Sequence, residues 1–440
     1  MVPNIPDTNK KRVVIVGAGF AGLEIAKRLS RHSDLQIVLI DKNNYHQFQP
    51  LFYQVAMAGL EPSSIAFPLR KMFQSCKNVH IRVTDVHKVV PDRKVVETDL
   101  GDIDYDELVI ATGADTNYYG MKEIESKAIP MKSVSEALFL RNRILQNFED
   151  ALTVETPEER LALLNVVVVG GGPTGVELAG TLAEMKKFIL PKDYPDLNFE
   201  SMQIYLLEGM DQVLSAMSDE ASDKACEYLK DLGVTVHTGQ MVTNFNGREI
   251  VTKQGLRIPT TNLVWAAGVK ASVLEGFVPE TLGPGGRLWV NEFNKVQGYD
   301  SIYALGDVAL MKGDEKNPKG HPQLAQPAIQ QAKNLAKNMG RMLDGKQPEP
   351  FRYKDLGTMA TVGRNLAVVD LPFWKFQGFF AWLTWMFVHL ISIVGVRNRV
   401  VVFINWLWSY ITYDQSLRLI IRVKPAPVEI KEGKETLQEV

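Results

Sequence analysis

The chain has 440 residues, a formal net charge of -2 and 45% hydrophobic residues. That length suits two or three domains with cores of their own, and the balanced charge excludes a general attraction to nucleic acid. The two cysteines, Cys76 and Cys226, make no disulfide framework and read as buried thiols of a reducing compartment, and the seven histidines show no metal-binding spacing, so no metal site is expected.

The opening MVPNIPDTNKK lacks the apolar core of a signal peptide. From Arg12 to Asp41 an apolar run, Val13 to Val16, meets Gly17, Gly19 and Gly22 in G-x-G-x-x-G spacing, then a helical stretch and a second apolar run ending in an acid. Gly17 permits a tight strand-to-helix turn, Gly19 lets backbone approach a pyrophosphate, and Gly22 lets the helix pack on the strand. The helix N-terminus turns unpaired N–H groups toward the phosphates. Asp41, about 24 positions after Gly17, is placed to accept hydrogen bonds from ribose hydroxyls. Phe20, Ala21 and Lys42 belong to the same expected dinucleotide site.

After Asp41, the density of aromatic, amide and proline residues around Tyr45, His46, Phe48, Gln49 and Pro50 fits either the lining of a planar ligand or a packed loop. His46 is counted with the cofactor site. Val79 to Val109 reads as short strands inserted in the first domain. The run Leu108 to Ala114, LVIATGA, is a strand breaking into a turn, where Thr112 and Gly113 bring backbone near the cofactor.

A helix from Ser133 to Ala151 leads to VVVVGGGPTGVELAG, Val166 to Gly180, with Gly170, Gly172 and Gly175 in the same spacing and Thr174 between them. A helix follows, then Gln203 to Leu207 ending in Glu208, and LVWAAGV, Leu263 to Val269, echoes LVIATGA through Ala267 and Gly268. A whole dinucleotide-binding unit is repeated, which suits an enzyme holding a flavin and a nicotinamide face to face. Lys186 to Glu200 is a charged insert in the second unit. Glu208 would repel a 2′-phosphate, which favours NADH over NADPH.

Beyond Gly283-Pro284-Gly285-Gly286 the chain returns to the first domain. In SIYALGDVA, Ser301 to Ala309, Asp307 is placed either to accept bonds from ribityl hydroxyls or to cap a helix. AQPAIQQ, Ala325 to Gln331, opens a helix to about Leu343 whose Gln326 and Gln330 share one face.

From Phe376 to Val396 about 21 residues carry no formal charge, roughly 30 Å of helix. Gln377, Ala381, Thr384, Val388, Ser392 and Gly395 form a small or weakly polar stripe opposite a stripe of Phe and Trp. After Arg397 and Arg399, a second segment has Asn405, Ser409, Thr412 and Ser416 in line, with Trp406, Trp408, Tyr410 and Tyr413 elsewhere and Arg418, Arg422 and Lys424 at its end. Trp, Tyr and basic residues favour the headgroup region, so the pair reads as helices lying in one leaflet; a spanning hairpin and a buried dimer interface are the rival readings.

These segments together resemble the type II NADH dehydrogenases, single-subunit NADH:quinone oxidoreductases, over roughly residues 11 to 423. The glycine units are shared with other flavoproteins; YHQFQPL, AQPAIQQ and the tail GVRNRVVVFINW are more specific. The resemblance implies an α/β fold of two Rossmann-like dinucleotide-binding domains, the two-dinucleotide flavoprotein fold, plus a C-terminal amphipathic helical membrane-anchoring region. An FAD-binding domain would comprise 11–120 and 286–370, an NADH-binding domain 121–285, anchoring helices 371–423, and a disordered tail 424–440. It implies hydride transfer from NADH to FAD, then two electrons to a quinone, ubiquinone or menaquinone, without proton pumping. Gln326 would border flavin and quinone, with Ala325 beside it and Gln330 a second catalytic amide. Ile329 stands where some members have histidine, and Arg397 and Val400 would lie near the quinone entrance. Glu177 corresponds to a glutamate assigned to charge or proton transfer, though it also suits a helix N-terminal acid. A homodimer is implied, peripheral on the cytoplasmic face of the cell inner membrane. Competing readings are a sulfide:quinone oxidoreductase, a ferredoxin-reductase-like flavoprotein, and a non-enzymatic NADH/flavin redox sensor. The first is weakened because Cys76 and Cys226 are badly placed to carry sulfur.

Overall fold

The computed structural model describes residues 2–414 and 417–421. Its first sheet is five-stranded and parallel, in the order Ile302–Ala304, Glu107–Ile110, Lys11–Val16, Leu35–Asp41, Val79–Val83. Strands covered on both faces read as continuous apolar runs, and VVIV and IVLI are such runs. Helices Phe20–Leu29 and Ala325–Leu343 cover one face, with Ile25, Leu29, Leu335 and Met339 packed against Ile15 and Leu39. A three-stranded antiparallel sheet, Val86–Val90, Val95–Thr98 and Gly101–Asp104, lies in the stretch expected to hold inserted strands, and its Val89, Val96 and Ile103 pack on the other face. The chain returns to the first sheet as expected, Ile302 pairing with Leu108.

The second sheet repeats the first: Ile129–Pro130, Asn262–Trp265, Val166–Val169, Ile204–Leu207, Val234–His237, all parallel. The helix Val134–Ala151 starts at Ser133, whose hydroxyl accepts the Glu136 N–H at 3.2 Å. The charged insert expected from Lys186 onward begins inside the helix Pro173–Phe188, and a further helical turn, Leu190–Asp193, follows it.

A third unit was not separated in the sequence. Strands Thr358–Gly363, Leu366–Asp370 and Lys375–Gln377 form an antiparallel sheet. It packs on the second unit's glycine helix so closely that a Cβ at Gly180 would stand 1.6 Å from the Val362 carbonyl oxygen. The expected boundary at 370 therefore falls inside a sheet that rides on Pro173–Phe188. Contacts between segments this distant leave no local signal.

The uncharged stretch supplies the helix Phe379–Ser392 and ends at the first residue of the next helix, Val396–Thr412, the two separated by a break in which Gly395 takes φ +87°. No described helix is long and apolar enough to cross a membrane. Phe380, Phe387, Ile404, Trp408 and Ile411 are exposed. The stripes differ from expectation: small Ala381 is buried against Ala367 and Val369 of the sheet, and Trp385 and Trp406 are buried, while Thr384 and Val388 lie on the outer side with the phenylalanines. A small residue lets the helix approach the sheet, so it faces inward. Ser416, Arg422, Lys424 and the expected disordered tail lie outside the described residues.

Candidate active site

The two glycine turns have the same construction. Gly17 has φ +99° and a Cβ there would lie 2.3 Å from Ala111 O; Gly170 has φ +111° with Ala266 backbone at 2.5 Å. Gly22 and Gly175 would place a Cβ 1.8 and 1.9 Å from the carbonyl oxygens of Gly17 and Gly170. Only the middle glycines differ: at Gly19 and Gly172 an added Cβ meets nothing within 4 Å. That open space, at the N-termini of Phe20–Leu29 and Pro173–Phe188, fits a pyrophosphate in each unit.

Each acid at a strand end ties its turn together. Asp41 accepts N–H bonds from Ala18 and Asn43, both 2.7 Å, and burial raises its pKa although those bonds oppose the shift. Glu208 accepts from Gly171 at 2.5 Å and Met210 at 2.8 Å. Carboxylate oxygens keep lone pairs beyond these bonds, so the same acids suit ribose hydroxyls.

Around the first turn, Thr112 follows the Ala111 carbonyl against which Gly17 packs, and its hydroxyl is buried with no partner. Gly113 has φ +71°. Asp307 lies in the turn Gly306–Val308, whose Gly306 N–H donates to Gln331 at 2.7 Å; burial raises its pKa against the opposing charges of Lys132 and Arg287. Ala21 is buried beneath the turn, and Lys42 is exposed. In the second unit the Ala267 carbonyl accepts from Tyr119 OH at 2.8 Å.

A cleft of about 700 Å³ lies between the units; the starts of both glycine helices reach it through Phe20, Pro173 and Thr174, while the turn glycines themselves, Asp41, Thr112, Asp307 and Glu208 lie outside its lining. Phe20, His46 and Phe48 of the first unit meet Pro173, Thr174 and Glu177 of the second across it, with Trp265 and Gly268 alongside. The YHQFQP segment is thus both packed and cleft-facing: His46 is 3% exposed, its Nδ1 sits 2.9 Å from Ala18 O, and burial lowers its pKa, keeping the ring neutral. Ala325, Gln326 and Ile329 form a third wall; Gln326 Nε2 donates to Gly357 O at 3.2 Å, leaving its buried Oε1 without a partner. Orphaned oxygens at Thr112 and Gln326, with open space over Gly19, are what a bound flavin nucleotide would satisfy.

The far end of the cleft is the break between the C-terminal helices, from Ser392 to Gly395, with His389 and Arg399. Here the expectation needs correction. Arg397 and Val400 are exposed and do not line the cleft; Arg399 does, its Nε donating to Ile393 O at 2.8 Å. Residues two apart on a helix point about 200° apart, so only one of the two arginines faces in. Gln330 is also directed elsewhere: its amide donates to Lys354 O at 2.9 Å and accepts from Lys354 N at 3.1 Å. Sequence reasoning missed Tyr53, Trp265, Lys132, His389 and the strand start at Gly357 to Met359; the aromatic density around Phe48 was the one signal pointing to Tyr53.

Glu177 is buried in the cleft wall. Burial pushes its pKa up to about 8, although the Thr361 N–H, 3.5 Å away, and the Trp385 indole N–H, which faces it outside ordinary hydrogen-bond geometry, act the other way. At neutral pH the carboxyl carries its proton. Its alternative role as a helix N-terminal acid favoured by the dipole needs a charged carboxylate in the first turn, whereas Glu177 lies beyond the first turn of Pro173–Phe188 and burial favours its neutral form.

Residues 11–332 match the pyridine nucleotide-disulphide oxidoreductase family, and residues 356–412 the NDH2 C-terminal domain. The second match spans the sheet and helices found packed together. The type II NADH:quinone oxidoreductase Ndh of Mycobacterium tuberculosis is 36% identical over 425 residues, 93% of this chain and 90% of that protein. The type II NADH:quinone oxidoreductase of Staphylococcus aureus is 31% identical over 367 residues, 81% of this chain and 89% of its own. The fold is shared with NDH2 from Plasmodium falciparum in complex with NADH, at TM-score 0.85 and 22% identity, covering 94% of this chain and 100% of that one. The sulfide:quinone oxidoreductase of Aquifex aeolicus shares it less closely, at TM-score 0.70 and 19% identity, covering 88% and 92%. The chain belongs to the type II NADH:quinone oxidoreductase family.

Proposed function

We propose that the chain is a membrane-surface flavoenzyme that oxidises NADH and reduces a quinone without moving protons across the membrane. The observation that carries this reading is the cleft that runs from the starts of both glycine helices, at Phe20 and Pro173, to the hinge of two helices with exposed aromatic faces. The turn of Gly17, Gly19 and Gly22, with Asp41, Thr112, Gly113, Asp307 and Ala325, would hold FAD. Gly170, Gly172, Thr174, Gly175, Glu208, Ala267 and Gly268 would hold NADH. Bound there, FAD supplies the two-electron step that links hydride from nicotinamide to the quinone.

The protein's own part is to position, dehydrate and protonate. Phe20, His46 and Phe48 pack edge to face, with ring centroids 5.5 and 5.9 Å apart, and close the cleft to water beside the flavin position. Gln326, in the cleft wall, keeps a buried Oε1 free for a ligand, and Glu177 holds a proton in the wall contributed by the second unit. His389, kept neutral by burial, and Arg399 meet the quinone head as it enters from the lipid. The exposed aromatic face would rest in the headgroup region on the cytoplasmic side of the cell inner membrane, with two copies associating through the C-terminal region. Neither Cys76 nor Cys226 lines the cleft, which leaves a sulfide-oxidising reading without a sulfur carrier.

Anaerobic mixing tests the function: NADH should bleach the yellow protein and a short-chain quinone should restore the colour within the turnover time. Bleaching without restoration would overturn quinone reduction.

A further inference from the structure

The structure contains a second, smaller chamber of about 120 Å³ that the cleft does not include. It lies between the second glycine helix, the strand Thr358–Gly363 and the C-terminal helices, and it is lined by Thr181, Glu184, Thr361, Trp385, Trp406 and Ser409. Such a volume holds several waters, and hydroxyl, carboxylate and carbonyl groups are there to bind them.

The chamber and the cleft share one wall. Tyr53 lines both spaces. Trp385 and Thr361 line the chamber and both direct an N–H at Glu177, which lines the cleft. Thr181, one turn on from Glu177, donates its hydroxyl to the Glu177 carbonyl at 2.8 Å. At the outer end Glu184 accepts the Arg364 N–H at 2.6 Å, and the Arg364 guanidinium stacks 3.4 Å from the Tyr413 ring centroid and bonds Ser409 O at 2.5 Å. Tyr410, also in the lining, is 38% exposed, so this end reaches the surface. Glu177 and Glu184 are two helical turns apart, roughly 10 Å along the axis, too far for direct transfer and suited to an intervening water chain.

The reaction needs such a route. Hydride from NADH brings two electrons and one proton; a quinol takes two electrons and two protons; one proton per turnover must therefore come from water. At the cleft's far end Ile393 and Val394 are apolar and burial lowers the pKa of His389, so the protonated carboxyl on the cleft wall is Glu177. We propose that the chamber is the proton inlet, with Glu177 giving its proton into the cleft and regaining one through waters from Glu184, which Arg364 holds in place. The charged and titratable groups facing Glu184 are Arg364 from the strand turn, Tyr53 from the aromatic segment and Tyr410 from the last helix, and burial raises the Glu184 pKa, as a relay carboxyl requires. This inference rests on the quinone-reducing function proposed above.

The test compares wild type with Glu184→Gln and Thr181→Val, the second removing one hydroxyl at nearly constant volume. In rapid mixing, flavin bleaching by NADH should change less than about twofold, while reoxidation by a short-chain quinone slows about tenfold and recovers with millimolar azide as a diffusible proton carrier. Independently of turnover, deuterium exchange at the protonated Glu177 carboxyl, followed by the infrared C=O band that Glu177→Gln removes, should slow by a similar factor in both variants. Wild-type turnover with unchanged exchange and reoxidation in both variants overturns the inlet alone. A wild-type flavin that NADH bleaches and quinone does not restore overturns the function and the inlet with it.

Discussion

Glu177 ties stability to acidity in a direction opposite to that of a salt-bridged carboxylate. Between its ordinary pKa of 4.5 and about 8, the folded protein holds a proton that the unfolded chain has released, so stability falls as pH rises through that window and levels above it. Glu177→Gln should flatten that slope in a melting-temperature series; an unchanged slope would mean the carboxyl is not buried as described. At Glu208 the acid ties Gly171, and in the proposed NADH site it would meet the ribose. Glu208→Gln keeps an oxygen for Gly171 while removing the repulsion of a 2′-phosphate, so the ratio of NADPH to NADH turnover should rise at least about tenfold. Such residues differ in how far sequence reveals them. Asp41 and Glu208 are legible because strand, turn and acid sit within one short stretch. Tyr53, Trp385 and Thr361 converge on Glu177 from three separate segments, and nothing in their own neighbourhoods marks them. That Arg399 and not Arg397 lines the cleft was not legible, because the phase of a helix that begins at a glycine break is set by the break's geometry, which spacing alone does not carry.

Among the elements, the glycine turns separate folding from binding. Gly22 is required by packing, so Gly22→Val drives a side chain into the Gly17 carbonyl and should destabilise the fold by about 1–3 kcal/mol or more. Gly19 has φ −68° and ψ −162°, which any residue adopts, and open space beyond. Gly19→Val should therefore fold with little change in the melting temperature of the apoprotein yet purify without FAD; retention of full yellow colour would place the pyrophosphate elsewhere. The C-terminal helices show the reverse of the usual amphipathic logic, with apolar residues exposed and small ones inward. Their amphipathic character was visible in the sequence, but the exact membership of each face was not, because the sheet they pack on was read as part of the first domain. With the proposed face in lipid, Phe380→Ser and Phe387→Ser would each remove about 1.5–3 kcal/mol of burial. The double variant should release from sedimenting vesicles while keeping turnover with a water-soluble quinone. Continued co-sedimentation would remove this face from membrane attachment.

For the whole molecule, two repeated units and a helix-capped sheet build one cleft, which reaches from the starts of the two glycine helices to the hinge at Gly395. The repeat was fully legible, since each unit writes the same strand, glycine turn, helix and acid in order. The cleft itself was not, because its walls come from the starts of the two glycine helices, the segment from Ala325 and the hinge at Gly395, brought together only by packing the third sheet on the second glycine helix. If the nicotinamide enters from the second unit and the quinone from the hinge, a plug at the hinge must separate the two half-reactions. Ser392 lines that end and is exposed, so a larger side chain there disturbs no core. Ser392→Trp should leave NADH bleaching within about twofold of wild type and slow quinone reoxidation by about 10–100-fold, the range expected when a binding geometry is displaced by about 1 Å. Slowed bleaching with normal reoxidation would assign the hinge to the nicotinamide and reverse the direction in which the cleft is read.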